Sequence, residues 1–121
     1  MKNILVIDDN EQILKMMCGL LQRSGHTVFS AINGAQGLKT YYTHTPDLVI
    51  TDLIMPEKEG LEVIMELTRQ ERRPKIIAIS GGGRMGPQSY LPMADLLGAD
   101  HVLQKPFHPA EFMDCVERLL A

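Results

Sequence analysis

Short apolar runs alternate along the chain with longer segments in which apolar residues recur every three or four positions. Residues 3–8, 47–52 and 75–80 are apolar on both faces and rich in Ile and Val. This pattern predicts strands of a parallel sheet that are buried under helices on both sides. Residues 26–31 alternate more and predict an edge strand, and residues 101–104 predict a short fifth strand.

The segments between these strands have helical spacing. Asn10 is a suitable N-cap for the first helix and Gly25 a suitable stop, and Pro46 closes a second helix over residues 35–44. A helix over residues 90–97 tolerates its proline because the proline falls in the first turn, where its missing N–H has no helical partner to lose. The apolar stripes of the first, third and last helices are Ile13, Leu14, Met17, Leu20 and Leu21, then Leu61, Ile64, Met65 and Thr68, then Phe112, Met113, Val116, Leu119 and Leu120.

The alternation of five strands with five helices predicts an α/β fold with a parallel sheet covered by helices on both faces. The chain has 121 residues, of which 45% are hydrophobic. That is enough for one core, and we expect a single domain over residues 1–121.

Charge and composition narrow the class of protein. The net charge of -3 argues against a dedicated nucleic-acid binder. No apolar stretch approaches the roughly 20 residues that a membrane span needs, so we expect a cytoplasmic protein without nucleic-acid or membrane partners. Cys18 and Cys115 are expected to be reduced. Arg69, Arg72 and Arg73 form a small basic cluster, interpreted as the solvated end of a helix.

Chemically active side chains follow four of the five predicted strands. Asp8 and Asp9 follow the first, Asp52 ends the third, Ser80 ends the fourth and Lys105 follows the fifth. In an open α/β sheet, ligands bind at the carboxyl ends of the strands, so we expect these five side chains to converge. Clustered carboxylates stay ionised when a cation joins them, and an all-oxygen site suits Mg²⁺. Each residue alone is more often a cap or a turn residue, and the hypothesis depends on all five sharing one edge.

These positions also resemble a known family. The acidic pair Asp8–Asp9, the segment DLIMPEKEG over residues 52–60, Ser80, the triplet GAD over residues 98–100 and the triplet KPF over residues 105–107 are similar, in order and spacing, to the motifs of response-regulator receiver domains. The resemblance covers essentially the whole chain. It implies the flavodoxin-like doubly wound sheet, with the strand order 2-1-3-4-5.

The resemblance also implies a role for each matching residue. Asp52 would accept a phosphoryl group from a sensor histidine kinase or a phosphotransfer protein. Mg²⁺ would be held by Asp8, Asp9, Asp52 and the backbone carbonyl of Ile54, while Ser80 and Lys105 would bind the phosphoryl group. The Lys105–Pro106 peptide bond would be cis.

As a switch of a two-component system, the protein would catalyse only its own phosphorylation and dephosphorylation. It would signal to a downstream protein through a surface formed by the fourth helix, the fifth strand and the fifth helix. The sequence leaves the downstream partner and a weak homodimer open.

Two features depart from the family pattern. Many receivers carry an aromatic residue three positions before the lysine, whereas this chain has Val102, next to His101. Signalling by the rotation of an aromatic ring is therefore not expected here. Residues 81–88 are glycine-rich and predict a surface loop; the sharper hypothesis is that the loop orders on phosphorylation, with Arg84 reaching the new charge.

Two alternatives share the same fold. One is a degenerate receiver that is never phosphorylated and acts as a protein-interaction module, but the presence of all five site residues argues against it. The other is a carrier that binds a flavin or a nucleotide at the carboxyl edge, where an acidic pair would repel the ligand's phosphate. The histidines at positions 26, 44, 101 and 108 have no metal-ligand spacing and are expected to be ordinary surface or half-buried residues.

Overall fold

A computed structural model describes residues 2–53, 60–80 and 98–121 of the chain. Within these ranges the chain forms five strands and four helices. In chain order they are β1 (Asn3–Ile7), α1 (Glu11–Arg23), β2 (Thr27–Ala31), α2 (Gly34–His44), β3 (Leu48–Asp52), α3 (Gly60–Thr68), β4 (Lys75–Ser80), β5 (His101–Gln104) and α4 (Pro109–Leu120).

The five strands form one parallel sheet in the order β2-β1-β3-β4-β5. This confirms the predicted fold class and strand order, including the edge position of the second strand. The register places Asp52 opposite Ile79 and Ser80 opposite Gln104. The ends of β3, β4 and β5 therefore lie side by side, and so do their beginnings.

The sheet separates two apolar layers, because successive side chains of a strand point to opposite faces. In β1, Leu5 and Ile7 pack on one face and Ile4 and Val6 on the other. The first face is covered by α2 and α3 through Leu38, Tyr41, Val63, Ile64 and Leu67. The second is covered by α1 and α4 through Leu14, Met17, Leu21, Phe112, Cys115 and Val116. Burial on both faces explains why β1, β3 and β4 have nearly continuous apolar sequences.

Local signals position the helices as expected. The Asn10 side chain accepts hydrogen bonds from the backbone N–H groups of Gln12 (3.0 Å) and Ile13 (3.1 Å), as an N-cap does. Gly25 follows α1 with a φ of 92°, a conformation that favours glycine. The last helix begins at Pro109, and the His108 ring accepts a hydrogen bond from the Ala110 N–H at 3.0 Å.

The fourth predicted helix, over residues 90–97, lies outside the described residues, as does the glycine-rich segment 81–88. In the part of the chain that the structure covers, no helix is long and apolar enough to cross a membrane.

Candidate functional site

The carboxyl edge of the sheet brings together the five side chains singled out from the sequence. Asp8 and Asp9 follow β1, Asp52 ends β3 and Ser80 ends β4, while Lys105 comes directly after β5. The backbone N–H of Lys105 donates to the carbonyl of Ser80 at 2.7 Å, which ties the lysine to the neighbouring strand. The Lys105–Pro106 peptide bond is cis.

Three carboxylates form the acidic part of the site. One oxygen atom from each of Asp8, Asp9 and Asp52 lies within 4.8 Å of the other two. Asp8 is fully buried and Asp52 is only 7% exposed, whereas Asp9 is exposed. The backbone N–H of Asn10 donates to Asp8 Oδ1 at 2.8 Å and so fixes that carboxylate. An all-oxygen donor set of this size fits a hard divalent cation such as Mg²⁺.

The Lys105 ammonium bridges two of these carboxylates. Its Nζ atom lies 3.0 Å from Asp8 Oδ2 and 3.3 Å from Asp52 Oδ2. Burial by itself would lower the pKa of Lys105, but the negative charges and hydrogen bonds of Asp52 and Asp8 outweigh it, and the pKa is raised above its ordinary value of 10.5. The ammonium thus stays charged at neutral pH and offsets part of the repulsion between the two aspartates.

The Ser80 hydroxyl is a buried polar group without a hydrogen-bond partner in the part of the chain that the structure describes. Ser80 is fully buried, and its Oγ atom has no hydrogen bond among the described residues. A buried hydroxyl in this state costs about 1–3 kcal/mol relative to a satisfied one. Such an atom, at the end of the strand next to Asp52, is suited to donate a hydrogen bond to an oxygen that arrives at the site.

Gly60 has a structural role at the site that its place in the sequence motif did not reveal. A Cβ atom at this position would overlap the backbone carbonyl oxygen of Asp52 and lie 2.7 Å from the Cα atom of Leu53. The Gly60 N–H donates to the Leu53 carbonyl at 3.0 Å, and the Leu53 N–H donates to the Ile79 carbonyl at 2.9 Å. The start of α3 therefore packs directly against the backbone that carries Asp52.

Other residues from the sequence hypothesis are not part of this cluster. Ile54 and Arg84 lie outside the described residues. Val102 is half-buried and packs against the apolar layer under α2 and α3, and His101 beside it is also half-buried. The Asp–Asp–Asp group is the only cluster of three or more His, Cys, Asp or Glu side chains with metal-site geometry in the described ranges, and no histidine belongs to it.

Comparison with known proteins agrees with this architecture. The family profile "Response regulator receiver domain" matches residues 4–117. Chemotaxis protein CheY of Bacillus subtilis is 33% identical over 118 residues, which are 97% of this chain and 96% of that protein. The alkaline phosphatase synthesis transcriptional regulatory protein PhoP of the same organism is 34% identical over 120 residues, or 98% of this chain and 48% of PhoP. The chain therefore spans about half the length of PhoP and nearly all of CheY.

The fold is also found among solved structures. A response regulator receiver domain protein from Clostridium thermocellum superposes with a TM-score of 0.88 at 27% identity, over 99% of this chain and 94% of that one. The profile match, the identity to CheY and the shared fold all cover almost the whole chain, and the chain therefore belongs to the response regulator receiver domains of two-component signalling systems.

Proposed function

We propose that this receiver domain is a phosphorylation switch in which the Asp52 carboxylate accepts a phosphoryl group. The observation that carries the proposal is the cluster of Asp8, Asp9 and Asp52 with the Lys105 ammonium across it. A nucleophilic carboxylate needs cationic neighbours that reduce its repulsion with an incoming phosphoryl group, and this edge has both a lysine and the ligands for a cation.

Asp8, Asp9 and Asp52 would hold Mg²⁺, together with the Ile54 backbone carbonyl. When bound, the ion supplies positive charge to the carboxylates and to the phosphoryl oxygens. The donor set fits it, since three carboxylate oxygens already lie within reach of one cation. Asp9 is the exposed member, so one side of the cluster is open to solvent for water ligands and for the phosphodonor.

The transfer forms a bond between an Asp52 carboxylate oxygen and phosphorus. The bond between phosphorus and the donor's leaving atom breaks at the same time, and its electron pair stays with the donor. Lys105 is positioned to bind the phosphoryl oxygens, because its ammonium already contacts the Asp52 carboxylate. Ser80 would donate its hydroxyl proton, which has no acceptor among the described residues, to one of those oxygens.

The phosphodonor would be a sensor histidine kinase or a phosphotransfer protein, and the output a downstream protein that docks on this cytoplasmic domain. In this proposal residues 1–121 act as one receiver domain. Water would hydrolyse the acyl phosphate and reset the switch, and this turnover of its own phosphoryl group would be the only chemistry of the chain. An aromatic ring at position 102 takes no part, since that residue is Val102.

Intact mass spectrometry after incubation with acetyl phosphate and Mg²⁺ tests the proposal. The wild type should gain one phosphoryl group, the gain should require Mg²⁺, and Asp52→Asn should gain none. Asp47→Asn is the matched control, because Asp47 precedes the same strand at the opposite edge. The proposal fails if Asp52→Asn is still modified. It also fails if the wild type takes no phosphoryl group from acetyl phosphate or from a panel of histidine kinases, and the chain would then be an interaction module.

A further inference from the structure

A second concave site lies at the amino edge of the sheet, opposite the aspartate cluster. It is a groove of about 410 Å³ between the end of α2 and the loops that lead into β3 and β4. This volume falls in the range of small-molecule sites, roughly 300–1,000 Å³. Neither the proposed phosphorylation chemistry nor the family match makes use of this groove.

The groove has an apolar floor and a charged rim. Its floor is formed by Tyr41, Pro46 and Pro74, which are all buried. Its rim carries the exposed side chains of Arg72 and Lys75. An apolar floor beneath cations suits a ligand with an apolar part and an anionic part.

Hydrogen bonds hold the walls of the groove in place. The Tyr41 hydroxyl donates to the Arg72 carbonyl at 3.1 Å and so links α2 to the loop before β4. The Lys75 N–H donates to the Asp47 carbonyl at 3.0 Å, and the Asp47 N–H donates to the Asn3 carbonyl at 2.8 Å. The groove is thus preformed, which lowers the ordering cost of binding.

The charges in the groove are not balanced from within. Arg73 also lines the groove, but its guanidinium donates to the Gly98 carbonyl at 2.6 Å and lies 3.3 Å from Asp100 Oδ2. The Asp47 carboxylate accepts the Asn3 N–H at 2.9 Å. Among the described residues, the side chains of Arg72 and Lys75 make no ion pair with an acidic group. These two cations at the mouth of the groove are therefore available to bind an anion.

We propose that this groove binds a small organic phosphate, with its phosphate on Arg72 and Lys75 and its apolar part on the floor formed by Tyr41, Pro46 and Pro74. An arginine guanidinium pairs with two phosphate oxygens at once, and a lysine adds a point charge. The phosphate group supplies the negative charge that pairs with the cations of the rim, and the apolar part of the ligand covers the floor below them.

The groove is separate from the phosphorylation site. Lys75 begins β4 and Ser80 ends it, so five residue steps of roughly 3.3 Å put about 16 Å between the two edges. A ligand on Arg72 and Lys75 therefore does not touch Asp52. It contacts the beginnings of the same two strands that present Asp52 and Ser80 at their ends.

Nuclear magnetic resonance with ADP as the probe tests the proposal. The experiment is done in EDTA, so that no metal can recruit the nucleotide to the aspartate cluster. ADP should shift the amide signals of residues 41–45, 47, 72, 73 and 75 and leave those of residues 8–10 and 52–53 unchanged. Arg72→Ala/Lys75→Ala should weaken binding by at least roughly tenfold, because two charge-assisted contacts are lost.

Matched controls separate this site from general attraction to cations. Lys15→Ala/Lys39→Ala removes the same charge from exposed positions of α1 and α2 and should change the ADP affinity less than about twofold. Shifts at residues 8–10 and 52–53 instead would overturn the proposed site. Equal losses of ADP affinity in both double variants would also overturn it. Inorganic pyrophosphate should bind more weakly than ADP; equal affinities would overturn the role of the apolar floor.

Discussion

The carboxyl and amino ends of β3 and β4 differ in the burial and the pairing of their charged side chains. At the carboxyl edge, the charges of Asp8 and Asp52 are buried and Lys105 is in direct contact with both. At the amino edge, Arg72 and Lys75 are exposed above a buried apolar floor. A buried charge must be paired within the fold because its desolvation is costly, whereas an exposed cation can stay unpaired at little cost. Substitutions should therefore destabilise the carboxyl edge much more than the amino edge.

The largest expected effect is on the backbone that carries Asp52. Gly60→Ala would drive a Cβ atom into the Asp52 carbonyl oxygen, and backbone atoms on both sides leave it little room to move. We expect the free energy of unfolding to fall by about 3 kcal/mol, measured by urea denaturation.

Gly19→Ala is the control for this substitution. Its Cβ would lie 3.4 Å from the end of the flexible Arg23 side chain within α1. Because alanine favours a helix over glycine, stability should stay the same or rise by up to about 1 kcal/mol. Equal losses in the two variants would show that Gly60 does not pack as described.

Removing a lysine from each edge compares the two environments directly. In EDTA, Lys105→Met leaves Asp8 and Asp52 without their cation and should lower the free energy of unfolding by about 2 kcal/mol. Lys75→Met removes an exposed cation that has no ion pair among the described residues, and it should change the free energy of unfolding by less than about 0.5 kcal/mol. Chemical denaturation of both variants measures the difference, and a larger loss for Lys75→Met would contradict the comparison.

The effect of Lys105 should also depend on pH. Its pKa is raised in the folded state, so its stabilising contribution is fully present below the ordinary value of 10.5 and is lost as the pH rises through the raised pKa. The stability gap between the wild type and Lys105→Met should therefore be constant from pH 7 to 10 and narrow above 10.5. A stability gap that narrows below pH 9 would contradict the raised pKa of Lys105 in the folded state.

Magnesium should stabilise the protein through the carboxyl edge alone. At a Mg²⁺ concentration ten times its dissociation constant, the free energy of unfolding should rise by about 1.4 kcal/mol. Asp9→Asn should lose most of this gain, whereas Asp47→Asn should keep it, since Asp47 lies at the amino edge. Thermal denaturation with and without Mg²⁺ measures the gain. A gain that survives in Asp9→Asn would remove that residue from the proposed site.

The smallest expected changes in the free energy of unfolding are those of substitutions at two neighbouring arginines. Arg73→Ala removes contacts to the Gly98 carbonyl and to Asp100 and should cost about 1 kcal/mol, discounted for its partial exposure. Arg72→Ala should cost less than about 0.5 kcal/mol, because its guanidinium has no acidic partner among the described residues. Urea denaturation of the two variants measures this difference, and a greater loss for Arg72→Ala would mean that Arg72 is not free to bind a ligand.

Much of the fold was predictable because its signals are local. Apolar runs predicted all five strands, and the bounds of β4 and β5 agree with the structure to the residue. Asn10 predicted the start of α1 because an N-cap acts on the next three residues. The strand order came from the family resemblance, since periodicity predicts which residues form a strand but not which strand lies beside it.

The basic cluster shows where local interpretation reaches its limit. Arg69 is exposed and directly follows α3, which ends at Thr68, in keeping with the predicted helix end, whereas Arg72 and Arg73 lie in the loop beyond it. Arg73 instead binds Gly98 and Asp100, which lie 25 and 27 residues further along the chain. Neither this contact nor the apolar floor beneath Arg72 has a signal in the sequence around the arginines.

By itself, the sequence determined the α/β alternation, the caps and the residues that end each strand, because these depend on side-chain type and short-range spacing. The tertiary structure alone decided that Lys105 bridges Asp8 and Asp52, that the Ser80 hydroxyl is buried without a described partner, and that Gly60 touches the Asp52 backbone. Lys105 and Asp8 are 97 residues apart. Contacts over such separations depend on how the strands are ordered and how closely the layers pack, and neither is contained in any short stretch of the chain.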